Sequence, residues 1–305
     1  MATRWTKLGL VYEPQPVHDK LASHAANPLA VHLHGDIFRV FFSGRDASNR
    51  SSVGHFDLDV AKQQIVRVCD APDFVHGPPG SFYSHGVSIG NCYRADGSRY
   101  ILFMGWQVPD KGHWRGEIGR LLLADDLSLS LDGSIPFIGL SAENPVSLSY
   151  PWVEALATGG FRMWYGSTVT WDAGNGEMLH VIRQARSDDG HGWQFEGDAL
   201  PAPLGIAQAF SRPTVDRGPN GVWRMWFSYR SGTGQTYRIG EARSDDGRLW
   251  DLALDPPPLE VSDAGWDSEM IEYPFVFRHR GRLYMLYNGN GYGRSGIGLA
   301  VAEAS

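Results

Sequence analysis

Only two cysteines, Cys69 and Cys92, stand in the 305 residues. Both fall in or beside strand-like stretches, so buried thiols are expected rather than a disulfide framework. No uninterrupted apolar run approaches the roughly 18 residues that a membrane span needs, which excludes a membrane partner of that kind. A basic-then-apolar leader is missing from the N-terminus, and the expected location is the cytoplasm. Positive charge is in deficit: 27 Lys and Arg against 34 Asp and Glu leave a net charge of −7. A nucleic-acid partner, which calls for a basic stripe, is excluded on that ground. No amphipathic helix of useful length is legible. The Gly-rich segment around Asn288, Asn290 and Tyr292 lacks the Lys-Ser/Thr of a phosphate loop. His24 and His85 lie too far apart in sequence to mark a metal site, so neither metal nor cofactor is expected.

What the chain has is repetition. Ser211-Arg-Pro-Thr-Val leads after seven residues to Trp223-Arg-Met-Trp-Phe-Ser, and then to Ile239-Gly-Glu-Ala-Arg-Ser-Asp-Asp-Gly-Arg-Leu-Trp250. Tyr150-Pro-Trp-Val leads in the same way to Phe161-Arg-Met-Trp-Tyr-Gly, and then to Gln184-Ala-Arg-Ser-Asp-Asp-Gly-His-Gly-Trp193. Looser copies begin at Asn27-Pro28, near Gly86, and at Tyr273-Pro274. A period of about 60 residues marks an array of one supersecondary unit. Each copy holds short runs of alternating apolar and polar residues bounded by Gly, Asn and Asp turns, the pattern of antiparallel strands joined by hairpins. Four strands per copy predict an all-β, five-bladed β-propeller filling residues 1–305 as a single domain. The last copy lacks a fourth strand, and Trp5–Tyr12 is expected to supply it, closing the ring and removing open edges.

In such a blade, the turns after the first and third strands share one face. Here they are tight and generic, among them Ser-Asp-Asp-Gly at 187–190 and 244–247. The loops after the second strand are long and chemically loaded: 44–50, 107–115, 167–177, 229–236 and 288–294. Loops longer than closure requires carry function. The binding face is therefore expected on their side, with the residues just ahead of the first strands ringing a central funnel. His24, Asn27, His85, Tyr150, Arg212 and Tyr273 belong to that ring, with Arg45, Asn288 and Asn290 beside it. Aromatic faces and charged groups converging on one axis suit a polyhydroxylated ligand, so the expected partner is a small sugar or glycoside. Acid–base chemistry on a glycosidic bond needs two carboxyl groups flanking one oxygen. Glu272 is the candidate acid, with Asp267, Glu269 or Asp46 as base or nucleophile. The oligomeric state is left open.

The Pro-led first strands resemble those of the propeller glycosidases, the arabinanase-, invertase- and mannosyl-phosphorylase-like enzymes. Phe42-Ser-Gly-Arg-Asp, Met225-Trp-Phe-Ser-Tyr-Arg, Gly265-Trp-Asp-Ser-Glu-Met-Ile-Glu-Tyr-Pro274 and Tyr287-Asn-Gly-Asn-Gly-Tyr-Gly293 resemble a subgroup of glycosidase-like propellers associated with bacterial glycan or glycosylated-metabolite biosynthesis. The resemblance implies cleavage or transfer of a glycosyl group. Its arabinanase-like triad is absent: Asn27 replaces the first Asp, Ser88 or His85 the second, and the third position offers Ser149-Tyr150 before Pro151 in place of the Glu. Glu272 in Glu-Tyr-Pro is similar to the invertase-like acid. An inert propeller that binds a glycan or sugar nucleotide, or scaffolds a biosynthetic partner, is the alternative.

Overall fold

The alternating runs become strands because each buries one row of side chains on each face, and the Gly, Asn and Asp turns reverse the chain between them. The computed structural model describes residues 3–232 and 236–303; part of the loop expected at 229–236 lies outside them. The first strand is β1 (Trp5–Tyr12). A first unit follows with β2 (Ser23–His34), β3 (Ile37–Arg45), β4 (Ser51–Asp59) and β5 (Gln64–Val68). The second holds β6 (Gly86–Ala95), β7 (Ser98–Gln107), β8 (Arg115–Leu123) and β9 (Leu129–Leu131). The third holds β10 (Ser147–Ala155), β11 (Phe161–Thr170), β12 (Leu179–Ser187) and β13 (Gln194–Asp198). The fourth holds β14 (Ser211–Arg217), β15 (Trp223–Tyr229), β16 (Arg238–Ser244) and β17 (Asp251–Ala253). Last come β18 (Glu272–His279), β19 (Arg282–Asn288), the one-turn α1 (Asn290–Gly293) and β20 (Ile297–Ala302).

Pairing within each unit is antiparallel and sequential, and β1 pairs antiparallel with β20 to complete the order β1-β20-β19-β18. The first two units are joined into one sheet only by the single parallel pair Ser51–Gly86. The first strands meet in a cycle: β2 touches β6, β6 touches β10, β10 touches β14, β14 touches β18, and β18 returns to β2.

Aromatic side chains fill the spaces between units. Trp164 of the third unit packs at 5.8 Å from both Trp223 and Trp250 of the fourth, and Trp5 meets Trp226 edge-on at 5.6 Å. Such side chains each gain roughly 1.5–3 kcal/mol or more by leaving water. Cys69 and Cys92 are free thiols.

One local device recurs in all five first strands. The pairing register slips between Ala26 and Leu29, Ile89 and Cys92, Ser149 and Trp152, Ser211 and Thr214, and Glu272 and Phe275. In four of them the slip holds an X-Pro pair whose X residue is left-handed: Asn27 (φ 56°), Tyr150 (32°), Arg212 (50°) and Tyr273 (53°). Proline disfavours the right-handed helical region for its predecessor, and each left-handed non-glycine residue costs on the order of 1–3 kcal/mol. Bulges of this kind re-aim a side chain, and here they occur at matching places in strands that touch.

Candidate functional site

A cavity of about 500 Å³ opens where these bulges lie. Every first strand contributes to its wall, through Asn27, Ser88, Tyr150, Ser211 and Tyr273 among others. Each connection between second and third strands contributes too: Asn49, Trp114, Met178, Arg230 and Tyr292 come from the five in turn. The opposite turns contribute nothing to it. Trp106 and Trp114 supply flat apolar faces, and Trp114 continues outward into an edge contact with Trp171 (4.9 Å), which stacks on His113 (4.6 Å).

Among the described lining residues there is no Asp or Glu, whereas Arg45 and Arg230 are both present. Arg230 is paired with Glu177 at 2.8 Å, and Arg45 donates to Asn49 Oδ1 at 2.7 Å. Glu272, at the first residue of β18, is fully buried, and neither carboxyl oxygen has a hydrogen-bond partner of ordinary geometry. Burial drives its pKa well above the usual carboxylate value, against opposing pulls from Arg230, Arg45 and the Tyr273 hydroxyl. Glu272 is outside the wall, but Arg45, Arg230 and Tyr273, which act on it, are in the wall, as are Tyr150 and Tyr237, which feel its charge. A raised carboxyl pKa favours the neutral form, the form able to give up a proton.

The other expected site residues divide. Asn27 lines the cavity, and its Oδ1 is buried without a partner. Tyr150 and Tyr273 line it together, ring centroids 5.4 Å apart. His24 is half-buried against Ser23 Oγ (2.9 Å); burial, then Arg45 and Arg294, lowers its pKa to about 4. His85 is outside the cavity wall but touches two residues of it, accepting from the Val108 N–H at 3.2 Å and sitting 6.0 Å from the Trp106 ring.

Several candidates are held in the framework instead, which corrects the reading of them as ligand contacts or bases. Asp267 accepts from Lys7 Nζ at 2.6 Å and from the Tyr287 hydroxyl at 3.0 Å, away from the cavity wall. Glu269 is exposed, and its main chain is clamped by Asn290, whose Oδ1 accepts from Glu269 N at 2.8 Å while its amide donates to Gly265 O. Asp46 caps its own loop, accepting from the N–H groups of Ser48 and Arg50 (both 2.9 Å) and from Arg50 Nε (3.0 Å). Burial pushes its pKa up, yet the Arg50 contacts outweigh that and hold it below the ordinary value. Asn288 is fully buried, donating to Ala25 O and Gly296 O and accepting from Asn27 N. Arg212 points its guanidinium at the carbonyls of Ile89, Pro28 and Gly90, tying three first strands together, and burial lowers its pKa to about 9. The residues missed from sequence, Arg230, Tyr237, His180 and Trp114, lie in or beside the long loops. Loop length is the one signal that points to them.

Comparison with known proteins agrees with this architecture. No protein-family model matches the chain. Two Mycobacterium tuberculosis sequences, the uncharacterised proteins MT1551 and Rv1502, are each 42% identical over 302 residues, covering 98% of this chain and 99% of theirs. The chain belongs to their family. Among solved structures, a BT0996 RGII complex superposes with a TM-score of 0.77 at 13% identity, over 99% of this chain and 92% of that one. A glycoside hydrolase gives 0.75 at 13% identity, over 100% and 93%. A structure from the GH130 family of mannoside phosphorylases, described as containing glycoside hydrolases that target β-1,2 mannosidic linkages in Candida mannan, gives 0.68 at 12% identity, over 99% and 94%. At such identities the shared property is the fold, that of glycoside hydrolase-like propellers. No helix among the described residues is long and apolar enough to cross a membrane.

Proposed function

We propose that the five units are the blades of a five-bladed propeller, and that the protein is a cytoplasmic enzyme cleaving or transferring a glycosyl group on a small soluble sugar. The carrying observation is Glu272: a fully buried carboxyl with no hydrogen-bond partner of ordinary geometry, its pKa raised by burial, next to a cavity walled by tyrosines, tryptophans and arginines. In this reading Glu272 protonates the leaving oxygen. Catalytic hydrogen bonds tighten when substrate binds, so its position just outside the wall is compatible with that task. Tyr150, Tyr273 and Asn27 orient the ring, and Arg45 with Arg230 favours a negatively charged group or an electron-rich acceptor. Inorganic phosphate is one such acceptor, and one solved structure with this fold comes from the GH130 family of mannoside phosphorylases.

A second reading is favoured by one observation, the lack of any carboxylate in the described cavity wall. It makes the chain an inert propeller that binds a glycan or sugar nucleotide, or that scaffolds a biosynthetic partner. The readings separate in a proton NMR time course with sugar nucleotides, sugar phosphates and aryl glycosides, with and without inorganic phosphate. A new anomeric signal that disappears in Glu272→Gln supports the enzyme. Saturation transfer to a ligand without turnover, in both proteins alike, supports the binder.

A further inference from the structure

Ser149 and His180 stand side by side in the cavity wall. Ser149 Oγ lies 2.7 Å from His180 Nε2, and His180 Nδ1 lies 2.7 Å from Thr168 Oγ1. The three side chains come from β10, β12 and β11 of one unit. Gly166 makes room for them: a Cβ there would collide with Ser149 Oγ and with His180 Nε2. The arrangement is thus built into the backbone of the third unit.

It looks like a nucleophile and its base, but the chemistry denies that role. A serine is activated only by a neighbour able to keep the proton it takes. Both ring nitrogens of His180 are taken by hydroxyls, with no carboxylate to steady an imidazolium, and burial pulls its pKa down to about 3. His180 therefore stays neutral, with one N–H and one lone pair. With a hydroxyl at each end, one must donate to the ring while the other accepts from it. If Thr168 donates, the Nε2 proton goes to Ser149, whose own O–H is free for the cavity. If Thr168 accepts, Ser149 donates to Nε2 and offers the cavity only lone pairs. A tautomer exchange converts one state into the other with no change of charge.

We propose that Ser149, backed by His180 and Thr168, reads one neutral hydroxyl of the bound sugar and can serve it as either donor or acceptor. The inference rests on the carbohydrate reading above and deepens it: a device with no net charge suits a sugar hydroxyl better than a phosphate or carboxylate. A site built to bond a hydroxyl discriminates strongly against the analogue that lacks it.

The test is an NMR saturation-transfer titration with D-mannose, D-glucose, and the monodeoxy and monofluoro analogues of each. For the wild-type protein, one deoxy analogue should bind about tenfold more weakly than its parent, the usual size of one lost hydrogen bond. Ser149→Ala should weaken the parent by about the same factor and leave that one analogue unchanged, since the two changes remove a single interaction. Equal loss for every sugar, or no loss for any, overturns the inference. Should Ser149→Ala not fold, Thr168→Val carries the test with the cavity wall intact. Without Thr168, a proton on Nδ1 would be buried unpaired, so the proton moves to Nε2 and Ser149 becomes a donor. The fluoro analogue at the read position, which can only accept, should then gain several-fold over the parent relative to wild type. An unchanged ratio overturns the inference. If none of these sugars binds the wild-type protein, the carbohydrate reading falls and takes the inference with it. If they bind and neither variant changes the pattern, only the inference falls.

Discussion

Carboxylates at the two ends of the repeated unit live under opposite conditions. In the Ser-Asp-Asp-Gly turn of the third unit, Asp189 accepts from the N–H groups of His191 and Gly192 and from Ser187 Oγ; these bonds, led by those from the Gly192 and His191 N–H groups, lower its pKa to about 2. Asp246 does the same in the fourth unit with Arg248, Leu249 and Ser244. These turns also clasp neighbouring units: Tyr93 donates to Gly190 O, and Arg162 donates to Gly247 O. At the other end Glu272 has no hydrogen-bond partner of ordinary geometry, and burial raises its pKa. The repeated acid is satisfied by its own turn and holds the structure together. The acid that occurs once is left unsatisfied beside a cavity, and a buried unpaired group persists only where something other than stability retains it.

The sharpest way to break this comparison is Glu272→Gln. If Glu272 is the proton donor, turnover should fall by about 10²- to 10⁴-fold, the usual share of a general acid, while ligand affinity changes little. The anomeric proton signal measures the first and saturation transfer the second. A variant with undiminished turnover would place Glu272 with the structural acids.

Next in size is Arg212→Met. Unlike Glu272, Arg212 is a buried charge with partners, and removing it leaves the carbonyls of Ile89, Pro28 and Gly90 unpaired at the centre of the ring. A loss of about 3 kcal/mol or more is expected in urea unfolding. Arg212→Lys should not restore it, because an ammonium cannot span carbonyls from separate strands as the guanidinium fork does. Full stability in either variant would show that the first strands close their ring without this tie.

How much is legible in the sequence follows the same division. The strands, the pairing of Trp5–Tyr12 with the last strand, and the cavity's place among the long loops follow from period-two patterning and loop length. Asn27, Tyr150 and Tyr273 are legible because proline marks the bulge that aims each of them inward. Proline marks Arg212 as well, but a guanidinium is long enough to turn back onto main-chain carbonyls. Asp267 and Asp46 mislead because their partners, Lys7 and Arg50, are set by tertiary contact and by one loop's own geometry. His180 opens no motif. Its place at the second residue of β12, beside a long loop, is its only trace in the sequence.

The smallest effect, and the finest test of the comparison, lies in the pH dependence of stability. Glu272 has a folded pKa above its ordinary 4.5, so the folded state holds more protons than the unfolded one above that pH. Its contribution therefore weakens the fold progressively as pH rises from about 4.5. Asp189, lowered from 3.8 to about 2, has the reverse sign: its contribution is complete above pH 3.8 and is lost as pH falls toward 2. Melting curves across the acid and neutral range should show Glu272→Gln removing part of the decline above pH 4.5. Asp189→Asn should remove part of the decline below 3.8. The Asp189 change should be the weaker of the two, because its carboxylate is open to solvent and screened by it. A Glu272→Gln profile parallel to wild type above pH 4.5 would mean that this carboxyl has a partner in solution, and the contrast between the two ends would dissolve.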